Sequence, residues 1–291
     1  AMWGGTHREG NRDGFGRYGY GLPSASVSQG KKFTIYSKSA YEGSKWFKVC
    51  VDLSILDNDK AKASDIISEP VEAELPDFCK DYTLDNHNGD QVFNVSELTS
   101  GTIVHWENLD KLKWKQIGSF QNKLQNNIAT TYWRFLSNRI KIFITGRKVE
   151  GIDPLFLTPG MKDYDNNGVH PIEETFDNIN IKIGDKSGTL KIRFVKFPYE
   201  FFYDSTGKLS ETARWEVSSE HTGLIVSRNG RKIDVLKQRP LGRRLQSYDN
   251  WWKAEIDFSA ELDSMFSVTT SKQQIVLGET IINRLKDFKL D

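Results

Sequence analysis

The stretch that most restricts what this chain can fold into stands near its start: Gly14-Phe-Gly-Arg-Tyr-Gly-Tyr-Gly21, followed at once by Leu22-Pro-Ser-Ala-Ser-Val27. Four glycines spaced two, three and two apart give a backbone that can turn tightly and bring several N–H groups near an anion. Pro23 suits a first helical turn, and Leu22, Ala25 and Val27 predict a short buried helix behind the loop. A glycine loop feeding a helix N-terminus is a ready phosphate site, because unpaired N–H groups and the helix dipole both favour negative charge. Glycine-rich turns are also often only turns, so the stretch alone leaves both readings open.

At 291 residues the chain is long enough for two packed domains. Forty basic against 39 acidic residues leave no global charge that points to nucleic acid or an anionic membrane. Cys50 and Cys79 are the only cysteines, too few for a disulfide framework or a zinc cluster. They read as reduced structural thiols of a cytoplasmic protein. No apolar run approaches a membrane span, and nothing resembles a signal peptide.

Lys32-Phe-Thr-Ile-Tyr-Ser37 and Trp46-Phe-Lys-Val-Cys-Val-Asp-Leu53 read as strands. Between Asp52 and Asp90, eleven acidic residues against three lysines predict a solvated, loop-rich excursion over a sheet edge. Gly101-Thr-Ile-Val-His-Trp106 predicts a short strand. Ile117, Phe120, Leu124, Ile128, Tyr132 and Phe135 recur at three and four, so residues 114–138 are expected as one amphipathic helix. Ile140–Thr145 follows as a strand closed by Gly146, and the prolines of residues 153–160 place a domain boundary near residue 160. In the second half, residues 178–183 and 189–197 flank a glycine-bearing turn. Residues 223–227 and 232–236 flank Asn229-Gly230, a strong two-residue hairpin signal. Residues 252–258 read as another strand, 261–265 as a helical turn, and 279–288 as a closing helix.

Two constellations have bland alternatives. Asp163-Tyr-Asp165-Asn-Asn167-Gly168, with Glu174 beyond, matches a calcium-loop spacing. Its context argues against one: Pro159-Gly160 excludes a long entering helix, and His170-Pro171 disturbs the loop, so no metal ligand is assigned. Seven basic residues between Arg228 and Arg244, against Asp234 alone, could meet a phosphate backbone, but a solvated hairpin face is the commoner meaning of such a run.

Read together, these motifs resemble the GHKL superfamily, which includes gyrase B, the heat-shock chaperone ATPases, MutL and the MORC proteins. Gly14 to Ala25 looks like the second glycine box, with Trp3-Gly-Gly-Thr-His-Arg8 as the lid over ATP. Gly101-Thr102 looks like the strand whose threonine helps hold adenine. Residues 223–231 and 254–275 are similar to the transducer end of the MORC and MutL relatives, where a loop lysine, here Lys272, reaches the γ-phosphate. The resemblance implies ATP and Mg²⁺ as cofactors. It implies Gly14, Gly16, Arg17, Gly19, Gly21 and Thr102 as nucleotide-binding residues, and Lys272 as the catalytic one.

The expected architecture is α/β. A partial GHKL (Bergerat-type) sandwich occupies residues 1–160, and a transducer domain of ribosomal-protein-like β-α-β fold occupies 161–291. In the family, the helix bearing the catalytic glutamate and a magnesium ligand, and the Asp-x-Gly-x-Gly box, precede the lid, where this sequence begins. The chain is therefore expected to be a fragment that does not hydrolyse ATP alone. Its complete form is expected to couple ATP to dimerisation or clamp closure, with nucleic acid or a client protein as further partners and no membrane. The alternative, from another class, is a non-catalytic module that binds protein or nucleic acid through tryptophan-rich surfaces.

Overall fold

The computed structural model describes residues 19–57, 62–79, 81–84, 91–112, 116–136, 140–183, 186–210, 214–237 and 246–266. It is mixed α/β, and it divides into two compact units. Among the described residues, one comprises those within 19–122 and 143–148, and the other those within 123–142 and 149–266. The helix expected at 279–288 lies outside the described residues.

In the first unit, α1 (Gly21–Val27) leads into β1 (Gly30–Lys38) and β2 (Phe47–Asp52), the two strands expected from alternation. The acidic excursion holds β3 (Val71–Glu72) and a hairpin of β4 (Asp81–Leu84) and β5 (Gln91–Asn94), before β6 (Gly101–Leu109) returns to the main sheet. The strand order is β3-β2-β1-β6, antiparallel at every described pairing. Opposite residues of an antiparallel pair share a face. Phe33, Ile35 and Ser37 on β1 therefore share a face with Trp106, Val104 and Thr102 on β6.

The long helix is interrupted. It runs as α2 (Ile117–Thr131) and then α3 (Trp133–Leu136), with Trp133 and Ala129 buried and Ile117 74 % exposed. The strand expected at 140–145 shrinks to β7 (Phe143–Ile144), paired with β8 (Arg147–Lys148). Thr145 and Gly146 both have positive φ, so the chain reverses before a longer ladder can form.

The second unit is built on β9 (Ile172–Ile183), β10 (Lys186–Lys196), α4 (Arg214–Glu220), β11 (Leu224–Arg228), β12 (Arg231–Leu236) and β13 (Trp252–Phe258). The strand order is β12-β11-β13-β10-β9, with β11 parallel to β13 and the other pairs antiparallel. Asn229 and Gly230 form the expected two-residue turn, both at positive φ. Gly223 has φ +131°, and a Cβ there would sit 2.4 Å from the Leu236 carbonyl oxygen, so the entry to β11 requires glycine.

One face of this sheet is an apolar core of Leu190, Ile192, Leu224, Val226, Ile256 and Phe258, closed by Leu262 and Phe266. The rings of Phe258 and Phe266 stack at 3.8 Å. The other face carries Arg193, Ser227, Lys253, Glu255 and Asp257. Alternation alone would leave it to solvent; here Glu255 is 1 % exposed and Arg193 6 %. The segment 149–158 and α3 cover it. Arg193 makes two bonds to Asp153 (2.8 and 2.9 Å) and bonds Glu255 through Nε at 2.8 Å. Arg134 of α3 grips the same Glu255 at 2.8 and 3.0 Å, and the Ser227 hydroxyl donates to it at 2.6 Å. Asp153 also accepts from the N–H of Leu155 and the Thr158 hydroxyl, which ties the covering loop to the sheet.

Burial alone would push the Glu255 carboxyl up. The Arg193 and Arg134 guanidiniums outweigh it and hold the group at about 2, below its ordinary 4.5. Its contribution to stability is therefore full above about pH 4.5 and lost as pH falls toward 2. Glu255→Gln should cost about 3–5 kcal/mol near neutral pH, because it removes the buried charge that Arg193 and Arg134 share. It should also flatten the acid limb of the stability curve between those two pH values. Denaturant unfolding of parent and variant at several pH values measures both; parallel acid limbs would contradict the assignment.

Candidate functional site

Of the residues expected to bind nucleotide, Gly14, Gly16 and Arg17 lie outside the described residues, as does Lys272. Gly19 and Gly21 are described. Gly19 has φ +69°, a left-handed conformation that glycine adopts without strain, and Tyr20 then caps α1 with no side-chain bond. Gly21 is the first residue of that helix. The first N–H groups of a helix have no partner within it, so the entry to α1 has the donor geometry an anion uses.

The helix is less buried than Leu22, Ala25 and Val27 led us to expect: Leu22 is 41 % exposed, and Ser26 is the buried side chain. The cause is polar. The Trp106 indole N–H donates to the Ser26 hydroxyl at 2.9 Å, so α1 turns its serine, not its leucine, to β6.

Thr102 sits on the same strand and the same sheet face as Trp106, four residues away, which is about 13 Å along a strand. Its hydroxyl is 3.3 Å from that of Ser37 on β1, and this pair of exposed hydroxyls joins the edge strand β6 to its neighbour. Thus α1 and Thr102 address one face of one sheet at separate places along β6. Ser37 and Trp106 had no motif to mark them; the strand register places Ser37 beside Thr102, and the indole bond places Trp106 beside Ser26.

Cys50 and Cys79 are both free thiols, half-buried, and burial pushes the Cys79 thiol up, away from the reactive thiolate.

The calcium-like loop has a different centre. Arg214, fully buried at the start of α4, donates to the Asp163 carbonyl (2.7 Å), the Tyr164 carbonyl (2.6 Å) and the Asn167 side-chain oxygen (2.6 Å). Asp163 and Gly168 both turn at positive φ around it. Of the oxygens that the spacing offers to a metal, the Asn167 side chain and the Val169 carbonyl are directed at the guanidinium, whereas the Asp163 carboxylate accepts from Asn166 and Asp165 lies 3.4 Å from His170. Among the described residues no cluster of three or more His, Cys, Asp and Glu side chains could hold a metal ion.

Residues 4–83 match the family model of histidine kinase-, DNA gyrase B- and HSP90-like ATPases. Over those residues the chain is similar to the GHKL superfamily. No curated protein matches it. The matched segment contains the glycine stretch, α1, β1 and β2, and the mixed α/β architecture is consistent with a GHKL fold. At the coarse level this makes the chain a relative of ATP-binding ATPases. GHKL proteins bind ATP, typically with Mg²⁺, and often dimerise. Among the described residues, no helix is long and apolar enough to cross a membrane.

The guanidinium-centred loop generates a prediction. Arg214→Ala should destabilise the protein by about 3 kcal/mol, since it leaves several buried acceptors unpaired. Millimolar Ca²⁺ should leave the parent's melting temperature unchanged. A rise of several degrees that Asp163→Ala abolishes would show that the loop takes calcium after all.

Proposed function

We propose that this chain carries the lid, the second glycine box and the transducer domain of an ATP-binding GHKL-type ATPase. Residues 1–160 would then be the C-terminal part of the ATPase domain, and 161–291 the transducer. The observation that carries the reading is the family match over residues 4–83, joined to a positive-φ Gly19 that opens directly into α1.

In this reading the backbone N–H groups between Gly14 and Gly21 hold the phosphates, Arg17 adds charge beside them, and Thr102 supports the adenine. ATP brings the phosphoryl group to be cleaved; the residues of this chain bind and orient it. Lys272 places an ammonium against the γ-phosphate, where charge develops during transfer. The 291 residues contain no Asp-x-Gly-x-Gly box. The aspartate for the adenine amino group, the catalytic glutamate and the Mg²⁺ ligand would then be supplied by sequence preceding Ala1. Nucleotide-dependent self-association follows as the working cycle, with nucleic acid or a client protein as the object of the clamp.

Titration of the upstream-extended protein with Mg²⁺–ATP tests this directly. Saturable binding is expected, weakened by Gly19→Val because valine resists the left-handed conformation. The 291-residue chain should show only background hydrolysis. In the extended protein Lys272→Ala should lower turnover by about one to three orders of magnitude. No nucleotide binding by the extended protein would overturn the reading; parent-like turnover in the lysine variant would remove Lys272 from it.

A further inference from the structure

The second unit has an open cavity of about 310 Å³ between the C-terminal half of α2, the end of α4 and strand β12. Its wall holds an ammonium with an unusual set of partners. Lys232 Nζ lies 2.8 Å from the Thr130 hydroxyl and 2.7 Å from His221 Nε2. His221 Nδ1 is 2.7 Å from the Val217 carbonyl, which accepts only from a protonated nitrogen, so Nδ1 carries the hydrogen and Nε2 is the acceptor. The Thr130 hydroxyl is directed at the carbonyls of Asn126 and Asn127, so its oxygen likewise receives from Lys232. The imidazole is therefore neutral. Burial and the neighbouring Lys232 drive its pKa down to about 3.

Lys232 thus sits among neutral acceptors, and among the described residues no carboxylate lies within ion-pairing distance of it. Glu220 and Glu255 act on it only from further away, Lys237 opposes them, and burial pushes its pKa down to about 8. Glu220 is itself engaged at 3.0 Å by Lys123. Lys237 opens on the same cavity. The side-chain oxygen of Asn127 accepts from Thr131, which leaves its NH₂ as the donor available on the cavity side. With Lys123 and Glu220 cancelling, Lys232 and Lys237 leave the cavity two positive charges in excess, with amide donors beside them.

We propose that this cavity is a phosphoryl-binding site, in which Lys232 and Lys237 supply charge and the Asn127 amide donates to a phosphate oxygen. A lysine ammonium binds phosphate as a point charge, and the volume leaves room for the group that the phosphate esterifies. The phosphoryl group could come from a nucleic-acid backbone or from a free phosphorylated small molecule. Lys232 and Lys237 both belong to the basic run from Arg228 onward. Its first member has another use: Arg228 is buried and bonded to Asp263 at 2.6 and 3.0 Å. The run is therefore divided between an internal ion pair and this cavity. The inference is independent of the nucleotide reading above.

An NMR-monitored titration of the 291-residue chain with inorganic phosphate, at fixed ionic strength, tests it. Saturable shifts should appear at the amides of Thr130 and Lys232. Lys237→Ala, at an exposed position, should weaken binding by about three- to tenfold, and Lys232→Met should abolish it. Lys182→Ala, an exposed control on β9, should change nothing. A short DNA duplex that competes with phosphate identifies a polynucleotide backbone as the source; saturable phosphate binding without competition identifies a small phosphorylated ligand. Non-saturable shifts, or an affinity unchanged in Lys237→Ala, would overturn the proposal even if Lys232→Met failed to fold. Phosphate bound only at the glycine loop would have that second signature.

Discussion

A single buried carboxylate organises the second unit. Glu255 lies in the middle of β13 and is held between guanidiniums from β10 and α3, with a serine hydroxyl from β11 completing its coordination. Withdrawing a charge from water costs several kcal/mol, and the low dielectric that imposes the cost also strengthens each pairing. The balance is met only while all of these elements are in place. The helix end and the 149–158 segment therefore cannot leave the sheet without exposing unpaired charge. Apolar packing on the opposite face of the sheet is tolerant of small shifts; this face is not.

That division explains what could be read from sequence and what could not. β1, β2, β11, β12 and β13 announced themselves through alternation and through turns such as Asn229-Gly230, where backbone sterics act locally. The alternation of Arg193, Glu255 and Lys253 with apolar neighbours had the same form as a solvent-facing strand. Only the covering segment and α3, distant in sequence, turn Arg193 and Glu255 inward. Phe135 kept helical spacing with Tyr132 although the helix breaks between α2 and α3, since periodicity does not register the loss of a hydrogen bond. The basic run after Arg228 looked like one solvated face, yet tertiary contacts give its members separate roles.

The candidate nucleotide site was legible to a different degree. Gly19, at positive φ, marks a turn that few other residues could make, so the entry to the helix behind it was visible in the sequence. The orientation of α1 was not, because it depends on one indole finding one hydroxyl across the sheet. The position of Thr102 beside Ser37 was likewise hidden, since it depends on a strand register set over nine residues of β1. The helix α1 and the threonine of edge strand β6 stand at separate places along one sheet face.

The loop centred on Arg214 shows how a chain can meet an electrostatic need from within. Carbonyl and amide oxygens converge there as they would around an ion, but their positive partner is covalently attached. Its local concentration is fixed at one per molecule, and neither chelators nor swings in cellular ion levels can deplete it. A site of this kind forfeits responsiveness and gains constancy. The turn leading into β9 thus draws on an internal charge for its shape, although its spelling is that of a calcium loop.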